Sequence, residues 1–398
     1  MRCAWRGRSS GCSARRAPAP AGAGDGASGY NPRMSRLRLS PETFALPVDR
    51  IRAGYYTDAY FNHAKRVLES RGLHPRVTMQ VFQKDDGVVL GGVDEAVAVL
   101  RLCAGRLSGE GPAAAWTPGW DDLVVHALHD GDELAAWETV LTIEGDYGLF
   151  AHLETVYLGV LSRRTLVGTN VRRVVEAAAG KPILFFPARF DHFRMQTGDG
   201  YAAHVAGAIG VSTDAQASWW GGKGIGTVPH ALIAACGGDT VEATRLFADA
   251  YYPEVNVTAL VDFDNDCVRT SLACAHALGG RLWGVRLDTS ETMVDRSLWD
   301  AMGSFSPTGV EPELVRAVRA ALDAEGFAGV KIVVSGGFDA AKIRRFETAG
   351  VPADAYGVGS SLLRGSTDFT ADVVLVEGRP CAKAGRSWRP NPRLERVS

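Results

Sequence analysis

The chain has 398 residues, of which 46% are hydrophobic and 22% charged, with a net charge of −2. This is the mix of ordinary globular domains, and the length suits about two of them. The near-neutral balance leaves no broad basic field, which excludes nucleic acid as the main partner. No uninterrupted apolar run approaches the roughly 20 residues that span a bilayer, so a membrane partner is not expected either.

Residues 1–33 carry Arg2, Arg6, Arg8, Arg15, Arg16 and Arg33 among Ala, Gly, Ser and Pro, with Asp25 as their acid. Such a tract buries too little surface to order itself, and it reads as a disordered extension upstream of Met34. The seven cysteines are scattered and form no CxxC pair. Their spacing favours reduced thiols and a cytoplasmic setting over a disulfide framework or a zinc site.

From Pro41 to Val160 the signals mix helix and strand. Thr57–Leu68 reads as a helix with Thr57 or Asp58 as its cap. Val77–Phe82 alternates as a strand and ends at the turn Lys84-Asp85-Asp86-Gly87, which leads into Val88-Val89-Leu90. A helix runs from Asp94 to Leu102, and strands are expected near Leu123–Leu128 and Glu138–Ile143. The pattern fits an α+β sandwich domain over 34–160, completed by a C-terminal hairpin within 370–398.

Beyond Thr165, short wholly apolar runs alternate with helical stretches, as in strands buried on both faces of a parallel sheet. The runs are Pro182–Phe186, Ala206–Val211, Val257–Val261, Leu282–Val285, Val330–Val334 and Ala355–Val358; helices fall at Glu242–Tyr251, Glu313–Glu325 and Ala340–Ala349. This is fewer units than a full eight-fold barrel needs, so residues 161–369 are expected to form an irregular or incomplete α/β barrel. A doubly wound open sheet has the same periodicity.

Nearly every run ends in polar residues or glycine: Arg189 and Asp191, Ser212-Thr213-Asp214, then Asp262, Asp264 and Asp266. Arg286 and Asp288 follow, then Ser335-Gly336-Gly337 and finally Gly359-Ser360. In strand–helix barrels the C-terminal strand ends build the active site, because their loops converge on one opening. Two ends, Ser335-Gly336-Gly337 and Gly357-Val358-Gly359-Ser360, have phosphate character, since glycines let backbone N–H groups approach an anion and a following helix adds its dipole. Four glycines surround Lys223 in Gly221–Gly226, which reads as a flexible anion-binding loop, though not a Walker A loop. His230 opens an apolar helix.

Together these elements resemble a nicotinate phosphoribosyltransferase of the class-II phosphoribosyltransferase group, over roughly Thr57 to Gly365. The resemblance rests on Thr57-Asp58-Ala59-Tyr60, His152-Leu153-Glu154-Thr155, Thr165–Thr169, Pro187-Ala188-Arg189 and Gly226-Thr227-Val228-Pro229-His230. It continues through Val261-Asp262, Gly284–Asp288 and the two glycine loops. It implies joining of nicotinate to phosphoribosyl pyrophosphate, giving nicotinate mononucleotide and pyrophosphate for NAD synthesis. It also implies a homodimer or higher homo-oligomer with active sites near the subunit interface, Mg2+ as cofactor and ATP as co-substrate.

Carried over residue by residue, the resemblance puts the ATP-phosphorylated histidine at His230 and catalytic carboxylates at Glu154, Asp262 and Asp288. Tyr60, Thr169, Arg189, Lys223, Thr227 and Arg286 fall in substrate binding. Ser335, Gly336, Gly337, Gly357, Gly359 and Ser360 fall around the 5′-phosphate; metal ligands stay unassigned. Arg189 suits a carboxylate because its planar fork bonds one bidentately. Tyr60 suits stacking on a pyridine ring.

The chain departs from the usual family pattern in Arg189-Phe190-Asp191-His192, in Arg286-Leu287-Asp288-Thr289-Ser290-Glu291 and at Pro229. Cys381 alone makes no zinc knuckle. The competing readings are a decarboxylating quinolinate phosphoribosyltransferase, whose dicarboxylate would want a denser basic pocket, a nicotinamide-using enzyme, and a non-catalytic nucleotide-binding regulator.

Overall fold

A computed structural model describes residues 37–108 and 115–398. The extension expected at 1–33 lies outside the described residues.

Alternating apolar residues draw Arg76–Gln83 into an antiparallel sheet, where it pairs with Thr139–Asp146 on one side and Phe369–Val376 on the other. Met79 faces Ile143 and Val373 across the two ladders. Val124–Ala127, Glu395–Arg396 and Arg379–Pro380 complete six strands. The expected C-terminal hairpin therefore returns to this sheet, turning at Glu377-Gly378. Its second strand is Arg379–Pro380.

Both faces of Arg76–Gln83 are covered, which is why its burial does not alternate. The tail closes one face through Gln80, which donates to Ser387 O at 2.9 Å and accepts from Arg389 N at 3.0 Å. Helix Val93–Cys103 and the long helix Glu154–Ala177 cover the other. The expected division at 160/161 falls inside this last helix. Tyr157 and Leu161 pack into the antiparallel core, and Val167, Val171 and Val174 into the second.

The second core is a six-stranded parallel sheet. In spatial order its strands are Thr258–Leu260, Gly284–Leu287, Lys331–Val334, Ala355–Val358, Ile183–Phe185 and Gly210–Val211. The last of this sheet's strands in chain order thus pairs with the first, Tyr356 against Ile183, so the sheet curls into an incomplete α/β barrel open between Val211 and Thr258. The glycine-rich segment bridges that opening: Ile225 N donates to Val211 O at 2.8 Å and Val228 N to Thr258 O at 3.2 Å. The expected strand Ala206–Val211 shortens to Gly210–Val211, because Ala206 caps the helix Gln196–Val205 and Gly207 reverses the chain at φ 109°.

A buried ion network ties the two cores together. Arg164 donates to Glu95 at 3.0 Å and to Asp199 at 2.7 Å, and a Cβ on Gly198 would collide with its guanidinium. Arg164→Met should lower stability by about 3–5 kcal/mol, since it strands two buried carboxylates. Chemical denaturation measures this; a loss under about 1 kcal/mol would mean water replaces the guanidinium.

Candidate active site

The C-terminal ends of the parallel strands open on a cleft of about 810 Å3. Arg189, Thr227, His230, Arg286 and Asp288 line it, together with Ser335, Gly336, Gly337, Gly357, Gly359 and Ser360. Most of the residues singled out from sequence therefore meet at one opening, as converging strand–helix loops require.

The two glycine loops form one wall. Gly336 and Gly337 are left-handed, at φ 87° and 66°, and a side chain at 337 would run into the Glu291 carboxylate. A Cβ on Gly357 would sit 2.6 Å from the Phe186 ring. Ser361 Oγ donates to Phe338 O at 2.8 Å, binding the loops to each other. A helix, Ala340–Thr348, follows the first loop; a 3-10 turn, Ser360–Leu363, follows the second where a helix was expected.

Arg286 and Asp288 both follow from the strand Gly284–Leu287, which alternates its side chains across the sheet. Arg286 donates to Asp288 at 3.1 Å and to Thr227 at 3.0 Å, and Ser335 Oγ donates to Asp288 at 2.8 Å. The carboxylate is thus fixed between the basic strand and the first phosphate-type loop, with both oxygens engaged.

His230 is the first residue of the short helix His230–Ala235, and its Nε2 lies 3.0 Å from Asp262 Oδ1. Burial pushes the Asp262 carboxyl up, and the imidazole partly offsets this. A carboxylate accepting from Nε2–H selects the tautomer whose Nδ1 keeps its lone pair. The imidazole is about half exposed, at 46%, so a reagent in the cleft can reach it.

Three comparisons bear on this geometry. The family model for the quinolinate phosphoribosyl transferase N-terminal domain matches residues 58–165. A solved nicotinate-nucleotide pyrophosphorylase from Pyrococcus furiosus is 33% identical, with a TM-score of 0.72, over 88% of this chain and 85% of that one. Nicotinate phosphoribosyltransferase pncB1 of Mycobacterium tuberculosis is 31% identical over 261 residues, 64% of this chain and 53% of that protein. The chain belongs to the family that holds this pyrophosphorylase and the nicotinate phosphoribosyltransferases. Human nicotinic acid phosphoribosyltransferase, at 18% identity and a TM-score of 0.60 over 83% of this chain and 77% of that one, shares the fold. The chain spans about half the length of the curated relatives it matches, 53% for the mycobacterial protein.

Not every residue implied by the family pattern reaches the cleft. Thr169 is buried at 4% exposure, and its hydroxyl accepts from Val89 N at 2.9 Å, locking the long helix to the antiparallel domain. This corrects its expected place in substrate binding, because the hydroxyl is enclosed and already bonded. Lys223 is exposed on the bridging segment and does not line the cleft. Asp262 reaches the cleft through His230.

Glu154 and Tyr60 also lie outside this chain's cleft, in a cluster with Asp58 and Thr155. Burial, with Asp372 and Asp58 adding, pushes the Glu154 carboxyl up to about 8. The folded state thus holds a proton there that the unfolded chain releases near its ordinary value of 4.5, so stability falls as pH rises from about 4.5 towards 8. Glu154→Gln should flatten that fall; an unchanged slope of the thermal midpoint against pH would show that Glu154 is ionised in the folded protein.

Sequence reasoning passed over Phe186, Glu291 and Arg364, which also line the cleft. Phe186 closes an apolar run and reads as one more core residue; its place just past the strand Ile183–Phe185 was the available signal. Nothing in the pattern marks Arg364.

Arg163 and Arg164, adjacent basic residues of the long helix, are engaged away from the cleft. Arg163 pairs with Asp191 at 2.5 Å and Asp199 at 2.7 Å, and Arg164 with Glu95 and Asp199. Among the described residues no group of three or more His, Cys, Asp or Glu side chains is placed to hold a metal. No described helix is long and apolar enough to cross a membrane.

Proposed function

We propose that the chain transfers the phosphoribosyl group of phosphoribosyl pyrophosphate to nicotinate. The observation that carries the reading is the convergence on one cleft of both glycine loops, Asp288 and Arg189, an arginine free of carboxylate partners among the described residues. The pyridine nitrogen attacks C1 of the ribose, the C1–oxygen bond breaks, and pyrophosphate leaves with the bonding pair. Positive charge grows on the sugar meanwhile, so fixed carboxylates in the cleft matter more than a strong base. Asp288 is the held charge for that task, and the glycine loops seat the 5′-phosphate on backbone N–H groups.

Arg189 takes the nicotinate carboxylate, and the Phe186 ring in the same cleft offers a stacking face. Nicotinate is favoured over quinolinate because Arg163 and Arg164 are tied up in ion pairs and Arg286 by Asp288 and Thr227, while Arg364 follows the second glycine loop at the phosphate end. It is favoured over nicotinamide because an amide gives a guanidinium fork one acceptor rather than two.

Bound magnesium would screen the pyrophosphate charge, with Asp288 and Glu291 as its protein contacts. ATP would phosphorylate His230 at the nitrogen opposite Asp262 and raise the rate of transfer. The exposed Tyr60 surface suits assembly with a second copy, and the free thiols Cys103, Cys236, Cys267, Cys274 and Cys381 suit a cytoplasmic setting. Incubation with nicotinate, phosphoribosyl pyrophosphate and magnesium should yield nicotinate mononucleotide by mass spectrometry. Carbon dioxide release from quinolinate, with no product from nicotinate, would replace this reading by the decarboxylating one.

A further inference from the structure

Three arginines line the cleft, and they differ in what holds them. Arg286 is engaged by Asp288 and Thr227, and Arg189 lies over the Phe190 ring at 5.3 Å. The Arg364 guanidinium has no hydrogen-bond or ion-pair partner among the described residues, yet its backbone is held firmly. Asn170, on the long helix, donates from Nδ2 to Leu362 O at 3.1 Å and to Arg364 O at 2.9 Å. Leu362 N donates to Gly359 O at 3.1 Å, and Ser361 Oγ to Phe338 O, so the turn between the second glycine loop and Arg364 is tied on both sides.

A free cation on a fixed backbone, directly after a loop built for an anion, has only its own exposed side chain left to order for a charge-assisted bond to a phosphate oxygen. We infer that Arg364 binds the phosphate end of the sugar substrate, and that Asn170 is the positioning residue that presents both Arg364 and the Gly357–Ser361 loop. This rests on the phosphate reading of the cleft given above. Asn170 lies on the half of the long helix that packs into the parallel core, so the helix that joins the two cores also sets the phosphate subsite.

The test is binding of ribose 5-phosphate by calorimetry, with KM for phosphoribosyl pyrophosphate measured alongside. Arg364→Ala should weaken binding by about 10-fold, the scale of one charge-assisted hydrogen bond, with the loss falling on KM more than on kcat. Arg364→Lys should recover part of it. Asn170→Ala should weaken binding in the same direction by about 3- to 10-fold at a similar thermal midpoint, the scale of a neutral hydrogen-bond pair. Asn170→Asp, which has the same shape but no donor, should do at least as much.

The Asn170→Ala/Arg364→Ala double variant should lose clearly less than the two single losses combined, because only the placement of the loop is then left to Asn170. Full additivity overturns the positioning role of Asn170. Tight binding that Arg364→Ala leaves unchanged overturns the inference alone. Failure of the unsubstituted chain to bind ribose 5-phosphate overturns the phosphate reading and this inference with it.

Discussion

Asp288→Ala is expected to lower kcat and kcat/KM together by about 100- to 1,000-fold, the range seen when one preorganised electrostatic group is removed. The carboxylate accepts from Arg286 and from Ser335, and both partners sit in the cleft. Without it, the guanidinium of Arg286, whose Nε already lacks a partner, faces the reacting sugar unopposed. A positive charge next to a developing cation raises the barrier, and the effect appears only as the C1–oxygen bond breaks, which is why kcat falls with kcat/KM. Asp288→Asn separates charge from position, since its carbonyl can still accept from Ser335. A loss near that of alanine is expected; recovery of most of the rate in the asparagine variant would show that Asp288 only spaces its neighbours.

His230→Ala should abolish stimulation by ATP and labelling from γ-labelled ATP, while slow basal transfer persists. The imidazole touches Asp262 and is half exposed, so its removal leaves the packing around Ile233 intact and the thermal midpoint nearly unchanged. Asp262→Asn is the informative companion. Its amide can still accept from Nε2–H, but it cannot stabilise the charge that builds on the ring as the other nitrogen attacks phosphorus. Labelling should slow by about 100-fold, the lower end of the range for a positioned proton-handling group. Full labelling of His230→Ala would move the phosphoryl acceptor to another residue.

How much of this was readable beforehand depended on whether the signal was local. Ala355–Val358 and the helix starting at Ala340 appear where the pattern puts them, because apolar strands and an Asp339 cap are set by neighbouring residues. The glycine loops were legible for the same reason: left-handed backbone at Gly336 and Gly337 must be written as glycine. The long helix Glu154–Ala177 was harder, since its apolar faces switch from one core to the other midway and no single stripe persists.

Thr169 and Arg364 show the limit more sharply. One polar residue of a family motif proves to be an interior hydrogen-bond partner, while a cleft arginine lies in no motif. Only the packing of the long helix against the strand pair Val88–Val89 and Glu133–Leu134 decides the first, and only the turn Ser360–Leu363 decides the second. The bridging of the barrel gap by Ile225 and Val228 was equally hidden, because it joins strands distant in the chain by backbone groups that every residue possesses.

The most direct test compares initial rates of pyrophosphate release from phosphoribosyl pyrophosphate with nicotinate, quinolinate or nicotinamide as the acceptor, each with magnesium and with or without ATP. Release with nicotinate, faster with ATP and lost in Asp288→Ala, is the predicted result. Release that depends on quinolinate or nicotinamide but not on nicotinate would contradict the assignment of Arg189 and the base. No release with any of the three would contradict phosphoribosyl transfer to a pyridine base altogether.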